Sequence, residues 1–509
     1  MRNTTNSLVT CLCVLGFTSA TAADWSFDPS HACHPVPSGQ ALWPDIVAAP
    51  GGFVAVAWMD DHTGQYHIWY AESHDSGVSW SAPEQVDTRA SGSYSKFPTL
   101  ALTPSGTPVV AWEDNRGGSY NVWLSRRDPS HGGTPWTTNL KVNTTGGAGD
   151  TDFMNASLTV LDELHWYVAW TDWREGVFYQ VYSRATSTAG LSWGPETRVS
   201  DELGYQPVAG DPCLIVDPSS TPGNEHLYCV TNDWRGDVPG GRYPNVYAYR
   251  STDAGLHWST GTQVNDIEPW FQQDSSHALV LLPDGTLVSA WLNSTTGAPQ
   301  FRSSRSTDGG ASWSSSVMIN PPGIGVGTYS SIAASGGWVF AGYDAFSLST
   351  SSQFRASSDG GLSWTDAPVN MSDGGAGVSV GNTVLAAASS TEVYGAWMDT
   401  RPTGAWSIYA SRGHRAATDA PQLVLDAIAP SLRAWPNPSW SGVSVQLAAS
   451  GASAGAIEIV AADGRLLRRL DPGASTWDGA DRFGRAVPPG VYWARVDGTG
   501  ARTRIVRTR

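Results

Sequence analysis

The sequence predicts an all-β chain: a closed propeller of seven four-stranded blades, followed by a small β-sandwich. Three observations carry this. First, a tetrad recurs seven times: Ala57-Trp58-Met59-Asp60, Ala111-Trp112-Glu113-Asp114, Ala169-Trp170-Thr171-Asp172, Val230-Thr231-Asn232-Asp233, Ala290-Trp291-Leu292-Asn293, Ala341-Gly342-Tyr343-Asp344 and Ala396-Trp397-Met398-Asp399. The second position of the tetrad steps by 54, 58, 61, 60, 51 and 55 residues. A period of this size in β-rich sequence means one blade per repeat. Second, four units end in Ser-x-Asp-x-Gly-x-x-Trp, at Ser73–Trp80, Ser251–Trp258, Ser306–Trp313 and Ser357–Trp364. Third, charged residues make up only 15% of the 509, against 55 Gly and 25 Trp. Few charges with many turns and aromatics suit an all-β protein and exclude disorder.

The second repeat shows how one unit folds. Phe97 to Leu102 is a short apolar run, and Thr103-Pro104-Ser105-Gly106 is a turn. Pro108 to Trp112 is the next strand, Asp114 to Gly118 turns again, Tyr120 to Ser125 alternates, and Pro135 to Val142 closes the unit. Such a sheet buries both faces only between neighbours. The seventh repeat stops near Arg412 without a terminal Trp strand, whereas the segment from Asp24-Trp25-Ser26 to Val36 resembles the fourth-strand pattern. The N-terminal strand is therefore expected to complete the last blade and hide the open edges. After residues 417–432, an Ala/Pro-rich linker, a small β domain occupies 433–509, with strands at Val443–Leu447, Ala456–Val460, Arg465–Leu470 and Val491–Val496.

Residues 1–22 read as a signal peptide: Arg2, an apolar run from Leu8 to Phe17 and the small-x-small site Ala20-Thr21-Ala22. The run is too short to span a membrane, so no transmembrane segment is expected and the product is secreted or held at a bacterial cell surface. The net charge of −16 excludes nucleic acid as a natural partner. An export compartment permits disulfides. Cys213 and Cys229 fall on consecutive strands of the fourth repeat and are expected to pair across a hairpin, leaving Cys33 over.

The Ser-x-Asp-x-Gly-x-x-Trp endings resemble the Asp boxes of the sialidase-like (BNR repeat) propellers, and the resemblance spans roughly residues 24–416. It implies a structural turn between third and fourth strands. Asp75, Asp253, Asp308 and Asp359 would bond the turn, the Gly would be left-handed and the Trp would pack beneath. The second repeat's box is interrupted near His131-Gly132-Gly133, and the third has Thr188 in place of Asp. The tail resembles the FlgD-like or type IX sorting domains of secreted bacterial proteins, through Pro436-Asn437-Pro438, Asp463-Gly464-Arg465, Trp477-Asp478-Gly479, Gly484 and Gly490-Val491-Tyr492. That implies an immunoglobulin-like sandwich whose basic end, Arg504 to Arg509, engages outer-membrane secretion machinery; a plain spacer domain is the other reading.

The resemblance also sets conditions that the chain does not meet. Sialidases clamp the sialic acid carboxylate with three arginines, a fork that fits a carboxylate. The first of these belongs to an Arg-Ile-Pro motif, where this chain reads Ala41-Leu42-Trp43-Pro44-Asp45-Ile46. Seven blades are also one more than sialidases use, so their catalytic residues are not carried over. A different constellation recurs: Asp114-Asn115-Arg116, Asp172-Trp173-Arg174, Asp233-Trp234-Arg235 and Asp399-Thr400-Arg401, with Asp60-Asp61-His62 in the first unit. These loops emerge opposite the Asp boxes. Either they form a charged and aromatic ring, with Trp173 and Trp234, that grips a glycan, or each Asp and Arg serves its own blade.

The loops joining blades open on the same face and are more individual, which favours function. They carry Tyr94 and Lys96, Asp150 and Asp152, Glu268 to Asp274 with Trp270 and Gln272, and Tyr329. Aromatics beside carboxylates and amides suit a sugar. Asp150 and Asp152 could bind calcium, or be solvated charges; no other cofactor is implied. Asp152 with Glu268 or Asp274 forms a candidate acid/base pair for glycoside hydrolysis. No metal signature is read from sequence, since His62, His67 and His74 lack standard ligand spacing. The expected partner is a glycan or surface protein. A glycoside hydrolase and a structural or adhesive scaffold are the alternatives.

Overall fold

The structure is a computed structural model. It describes residues 25–415 apart from 35–38, 89–91, 129–134, 145–154, 175–178, 202–208, 234–244, 267–276, 294–298, 347–349, 365–366, 376 and 402–403. Beyond these it describes 431–435, 439–440, 445–450, 456–461, 465–470, 476–496 and 502–508. The chain divides into two compact units, Met1–Ala416 and Ala417–Arg509. Among the described residues there are strands and no helix, so no helix is long and apolar enough to cross a membrane.

The first unit is a β-propeller built from antiparallel sheets that follow one another along the chain. After β1 (Trp25–Phe27) and β2 (His31–Ala32), the first sheet runs β3 (Ala41–Ala49), β4 (Phe53–Asp60), β5 (His67–Ser73) and β6 (Glu84–Gln85). Five further four-stranded sheets repeat this order, and the seventh is Val380–Ser389, Glu392–Asp399 and Ser407–Arg415. β1 supplies the missing outer strand of that seventh sheet, with Trp25 opposite Arg415 and Phe27 opposite Gly413, and β2 pairs on the same strand. The N-terminal strand thus closes the last sheet.

The second strand of each sheet explains the tetrad. Pro108–Asp114, Trp166–Asp172 and Leu287–Asn293 are buried at every residue. A strand covered on both faces needs a nearly continuous apolar run, not an alternating one. The tetrad tryptophans Trp58, Trp112, Trp170, Trp291 and Trp397 have no exposed surface. Each packs on the preceding sheet: Trp112 beside Ala57 and Tyr70, Trp170 beside Val122 and Leu124, Trp397 beside Phe340 and Phe354. Trp58 of the first sheet packs beside Tyr394, Ile408 and Ala410 of the seventh, which makes the series a ring. Burying one such ring system removes ~150–250 Å² from water, worth up to about 4–6 kcal/mol at ~25 cal/mol per Å². Tyr343 takes this place in the sixth sheet, against Phe301 and Leu292.

Two sequence expectations need correcting. The outer strand of the second sheet is only Leu140–Lys141, much shorter than Pro135–Val142. Cys213 and Cys229 are free thiols, as is Cys33. Cys213 lies opposite Val230, and Cys229 opposite Leu214. Directly opposed residues share a face and successive residues alternate, so the two sulfurs lie on opposite faces of the sheet. Cys229 is accordingly in the core toward the third sheet, and Cys213 lines the core toward the fifth.

The second unit has one sheet of Ser431–Trp435, Val445–Ser450 and Thr476–Trp477. Its other sheet orders Ser439–Trp440, Arg502–Thr508, Gly490–Val496, Ile457–Ala461 and Leu466–Leu470. Its core holds Ile457, Ile459, Leu467, Trp477, Tyr492 and Ile505. The basic end is therefore a paired strand. Arg507 is buried, with its guanidinium 5.4 Å from the Trp477 ring centroid. Gly479 is left-handed at φ 78°, and a Cβ there would lie 2.3 Å from the Arg507 guanidinium carbon. Glycine in the Trp-Asp-Gly turn is thus what admits the arginine.

Candidate functional site

The rim that carries the Asp-x-Arg loops also carries the blade-joining loops, because both lie at the same end of the strands. The backbone ties them together: Ser95 N–H donates to the Tyr66 carbonyl, and Asn115 N–H to the Tyr94 carbonyl.

The Asp-x-Arg loops share one construction. The backbone N–H of the Arg donates to Oδ1 of the Asp at 2.7 Å in Arg116 and Arg174 and 2.8 Å in Arg401. The buried Trp indole N–H donates to Oδ2, at 3.0 Å for Trp170 and Asp172 and 3.3 Å for Trp397 and Asp399. The guanidinium folds back onto the same Oδ2. It also stacks on an aromatic of the third strand: Arg116 at 4.0 Å from Trp123, Arg174 at 3.9 Å from Tyr182, Arg401 at 4.1 Å from Tyr409. Each carboxylate, with no exposed surface in these three, is neutralised and fully bonded inside its own sheet. Each of these arginines is thus engaged with the carboxylate and the third-strand aromatic of its own sheet. Arg235 and Trp234 lie outside the described residues.

The channel mouth on this rim is different. The innermost strands bulge between Leu42 and Asp45, Lys96 and Thr99, Gly210 and Cys213, Val326 and Ser330, and Gly381 and Val384. At or beside four of these places the chain turns left-handed at a non-glycine residue: Trp43 (φ 55°), Phe97 (50°), Asp211 (52°) and Asn382 (58°), with Asn155 (38°) before the third sheet's inner strand. Asn and Asp tolerate this conformation; Trp and Phe do not, and hold it at a cost of ~1–3 kcal/mol each. Bulges of this kind re-aim a side chain. Here they bring Trp43 edge-on to Phe97 with centroids 4.9 Å apart, and edge-on to Tyr329 at 4.6 Å. The three come from the first, second and sixth sheets, so the cluster reaches across the channel. All three are half-buried. Sequence reasoning missed Trp43, because nothing in a Leu-Trp-Pro-Asp run marks a left-handed Trp.

On the segment leading into Phe97 stand Tyr94, 43% exposed, and Lys96, whose ammonium is 5.8 Å from the Tyr94 ring centroid and 5.2 Å from that of Tyr120. Trp173 packs edge-on to Tyr179 at 4.5 Å, away from this cluster in the third sheet's loop. Asp150, Asp152, Glu268, Trp270, Gln272 and Asp274 lie outside the described residues. The structure therefore brings Phe97 and Tyr329 together with Trp43, and sets Tyr94 with Lys96 and Tyr120.

Two carboxylates link neighbouring sheets, Asp45, half-buried, and Asp344, buried. Asp45 accepts from the backbone of Ile46 at 2.9 Å and of Leu100, in the next sheet, at 2.7 Å. Burial pushes its carboxyl up to about 6 against those bonds. Asp344 accepts from Asn382 N–H at 2.8 Å and from the Thr383 hydroxyl, and burial again raises it to about 6. Both join one sheet to the next.

At the opposite rim the Asp boxes are closed turns. Asp75 accepts from the Ser73 hydroxyl at 2.7 Å, the Ser79 N–H at 2.9 Å and the Ser79 hydroxyl at 2.6 Å. Gly77 N–H donates back to Ser73 Oγ, and the Trp80 indole to the Gly77 carbonyl. Asp308 and Asp359 repeat the carboxylate pattern with Ser312 and Ser363, and Asp253 with His257. The Ser hydroxyls and N–H groups hold Asp75 and Asp308 down at about 2. A cleft of about 510 Å³ on this rim is lined by His226, Tyr228, Arg250, Asp253, His257 and Gly309. Its one carboxylate is already engaged by the box.

No protein-family model and no curated protein sequence matches the chain. Among solved structures, an ulvan lyase of polysaccharide lyase family PL25 aligns with TM-score 0.49 at 11% identity, covering 76% of this chain and 95% of that one. A protein of unknown function from Dyadobacter fermentans gives 0.47 at 14%, covering 77% and 99%. An α-L-arabinanase from Penicillium chrysogenum gives 0.45 at 15%, covering 62% and 94%. At these identities no residue role is taken from them.

Proposed function

We propose that this chain is an exported, sialidase-like seven-bladed propeller that binds a glycan through the rim opposite its Asp boxes, without the sialidase arginine triad. The observation that carries the reading is the aromatic cluster of Trp43, Phe97 and Tyr329, with Lys96 and the exposed Tyr94 on the segment leading into Phe97. Two of its members stand on strained bulges, and strain is kept where the surroundings over-determine it. Half-buried rings offer stacking faces to a sugar, and the ammonium and phenol offer directional bonds to hydroxyls. The Asp-x-Arg loops are engaged within their sheets, so binding rests on the mouth and on the blade-joining loops. Residues 23–416 form the binding domain in this reading. Residues 433–509 form an immunoglobulin-like domain of the FlgD or sorting type, joined by a linker at 417–432, and deliver the protein to the cell surface.

A glycan array on the purified chain, followed by calorimetry, tests this. Binding is expected for the wild type and at least tenfold loss for Tyr94→Ala and Lys96→Ala. Binding unchanged in both variants, or no glycan bound at all, would redirect the reading to a scaffold.

A further inference from the structure

The first sheet breaks the Asp-x-Arg rule, and the break is chemically specific. His62 stands where the second, third, fourth and seventh units carry Arg. Its N–H donates to Oδ1 of Asp60 at 2.7 Å, and its ring lies 4.7 Å from that of Trp69, the counterpart of Trp123, Tyr182 and Tyr409. A second imidazole enters from outside the sheet. His34, just past β2, sits against Trp58 and Trp69 with ring centroids 5.2 and 6.4 Å away. Its Nε2 is 3.2 Å from Oδ2 of Asp60. Two imidazoles therefore surround a carboxylate that elsewhere meets one guanidinium.

The polar accounting is left open here. His34 is 7% exposed, and neither ring nitrogen has a hydrogen bond of acceptable geometry. Asp60 has no exposed surface, and its Oδ2 has no hydrogen-bond partner either. The Trp58 indole N–H is also without a partner, although the equivalent group of Trp170 and Trp397 bonds the tetrad Asp. Buried polar atoms in a settled structure find partners. Two imidazoles gathered on a buried carboxylate, one of them with neither ring nitrogen in a well-formed hydrogen bond and the other 2.7 Å from Oδ1 through its Nδ1, are a donor set that a cation can take.

We propose that His34, Asp60 and His62 form a binding site for a divalent transition-metal ion of the zinc class. One donor atom from each lies within 4.8 Å of the others. A tetrahedral zinc site has ligand–ligand edges of roughly 3.3 Å, from bonds of about 2.0–2.1 Å. His62, with its side chain 23% exposed, can turn to close the difference and leaves a path from solvent. Two imidazoles and one carboxylate select zinc, cobalt or nickel over calcium and magnesium, which want oxygen donors. Three protein ligands leave a fourth position for water.

The site's place in the chain gives it a consequence. His34 belongs to the segment that leaves the closing strands, whereas Asp60 and His62 belong to the first sheet. An ion held by all three ties ring closure to the sheet that follows it. The same segment is pressed on the loop: a Cβ on Gly39, at φ 108°, would lie 2.7 Å from the His62 Cα, and Gln40 N–H donates to Asp61 at 2.6 Å.

The experiment uses the full chain with no polyhistidine tag, stripped with chelator and titrated with zinc chloride by calorimetry, with a melting curve at each end point. The expected result is one ion per chain and a higher Tm with zinc. His34→Ala is expected to weaken binding at least tenfold. His62→Arg installs the residue that pairs with the tetrad Asp in the second, third and seventh sheets, so it is expected to fold and close its Asp–Arg pair while losing zinc and the zinc-dependent Tm rise. Zinc bound equally by wild type and His62→Arg would overturn the site, as would no binding by the wild type. Calcium binding at these residues in place of zinc would overturn the metal class.

Discussion

At the scale of single residues, one carboxylate position decides much of the molecule. Asp172 has no exposed side-chain surface and is satisfied by the Arg174 backbone, the Trp170 indole and the Arg174 guanidinium. Arg174→Ala removes a charged partner from a buried group, so it should cost about 2 kcal/mol of unfolding free energy, read by denaturant titration. If the arginine instead served only a ligand, stability would be unmoved. Asp45 and Asp344 make a second residue-scale prediction. Both are raised from 3.8 to about 6 in the folded chain. The folded state therefore holds protons that the unfolded state releases, and stability falls as pH rises from about 4 through about 6. Asp75 and Asp308, held at about 2, act in the opposite direction: their contribution is present above about 4 and lost as pH falls toward 2. From these four groups, thermal stability should peak at about pH 4 and decline on either side. Asp45→Asn should flatten the fall above pH 5 by roughly 2 kcal/mol; an unchanged slope would contradict this account.

At the scale of strands and sheets, the closing strand is the most exposed to test. Trp25 is 7% exposed and lies 5.3 Å from Phe340 and 5.1 Å from Phe354. Trp25→Ala should cost about 3–5 kcal/mol, the usual range for an aromatic removed from a core, measured as a lower denaturation midpoint. This element was legible in the sequence, because Asp24-Trp25-Ser26 repeats the start of an outer strand and the seventh repeat lacks its own. The tetrads were legible too, since a strand covered on both sides must be apolar throughout. The two strands carrying Cys213 and Cys229 do pair, but the expected disulfide was misread because cysteines on neighbouring strands bridge only in register, and a bulge between Gly210 and Cys213 sets that register. Arg502–Thr508 was missed as a strand since its charges suggested a tail. Its Arg507 is accommodated through Trp477 and Gly479.

At the scale of the whole molecule, a ring brings together what the chain keeps apart. Trp43, Phe97 and Tyr329 span nearly three hundred positions, yet meet at one channel mouth. Tyr94, Lys96 and Tyr329 could be picked from sequence as individual loop residues. Trp43 could not, because its role comes from a left-handed bulge that its identity argues against. His34 escaped for the same reason: spacing along the chain pointed to His62, His67 and His74, and only ring closure delivers His34 to Asp60. The measurement that bears most directly on the account is a glycan-array screen of the intact chain, run in parallel with Tyr94→Ala. The account predicts a bound glycan whose signal falls at least tenfold in the variant while the melting temperature is kept. A glycan bound equally by both proteins, or an array with no bound glycan, would contradict it.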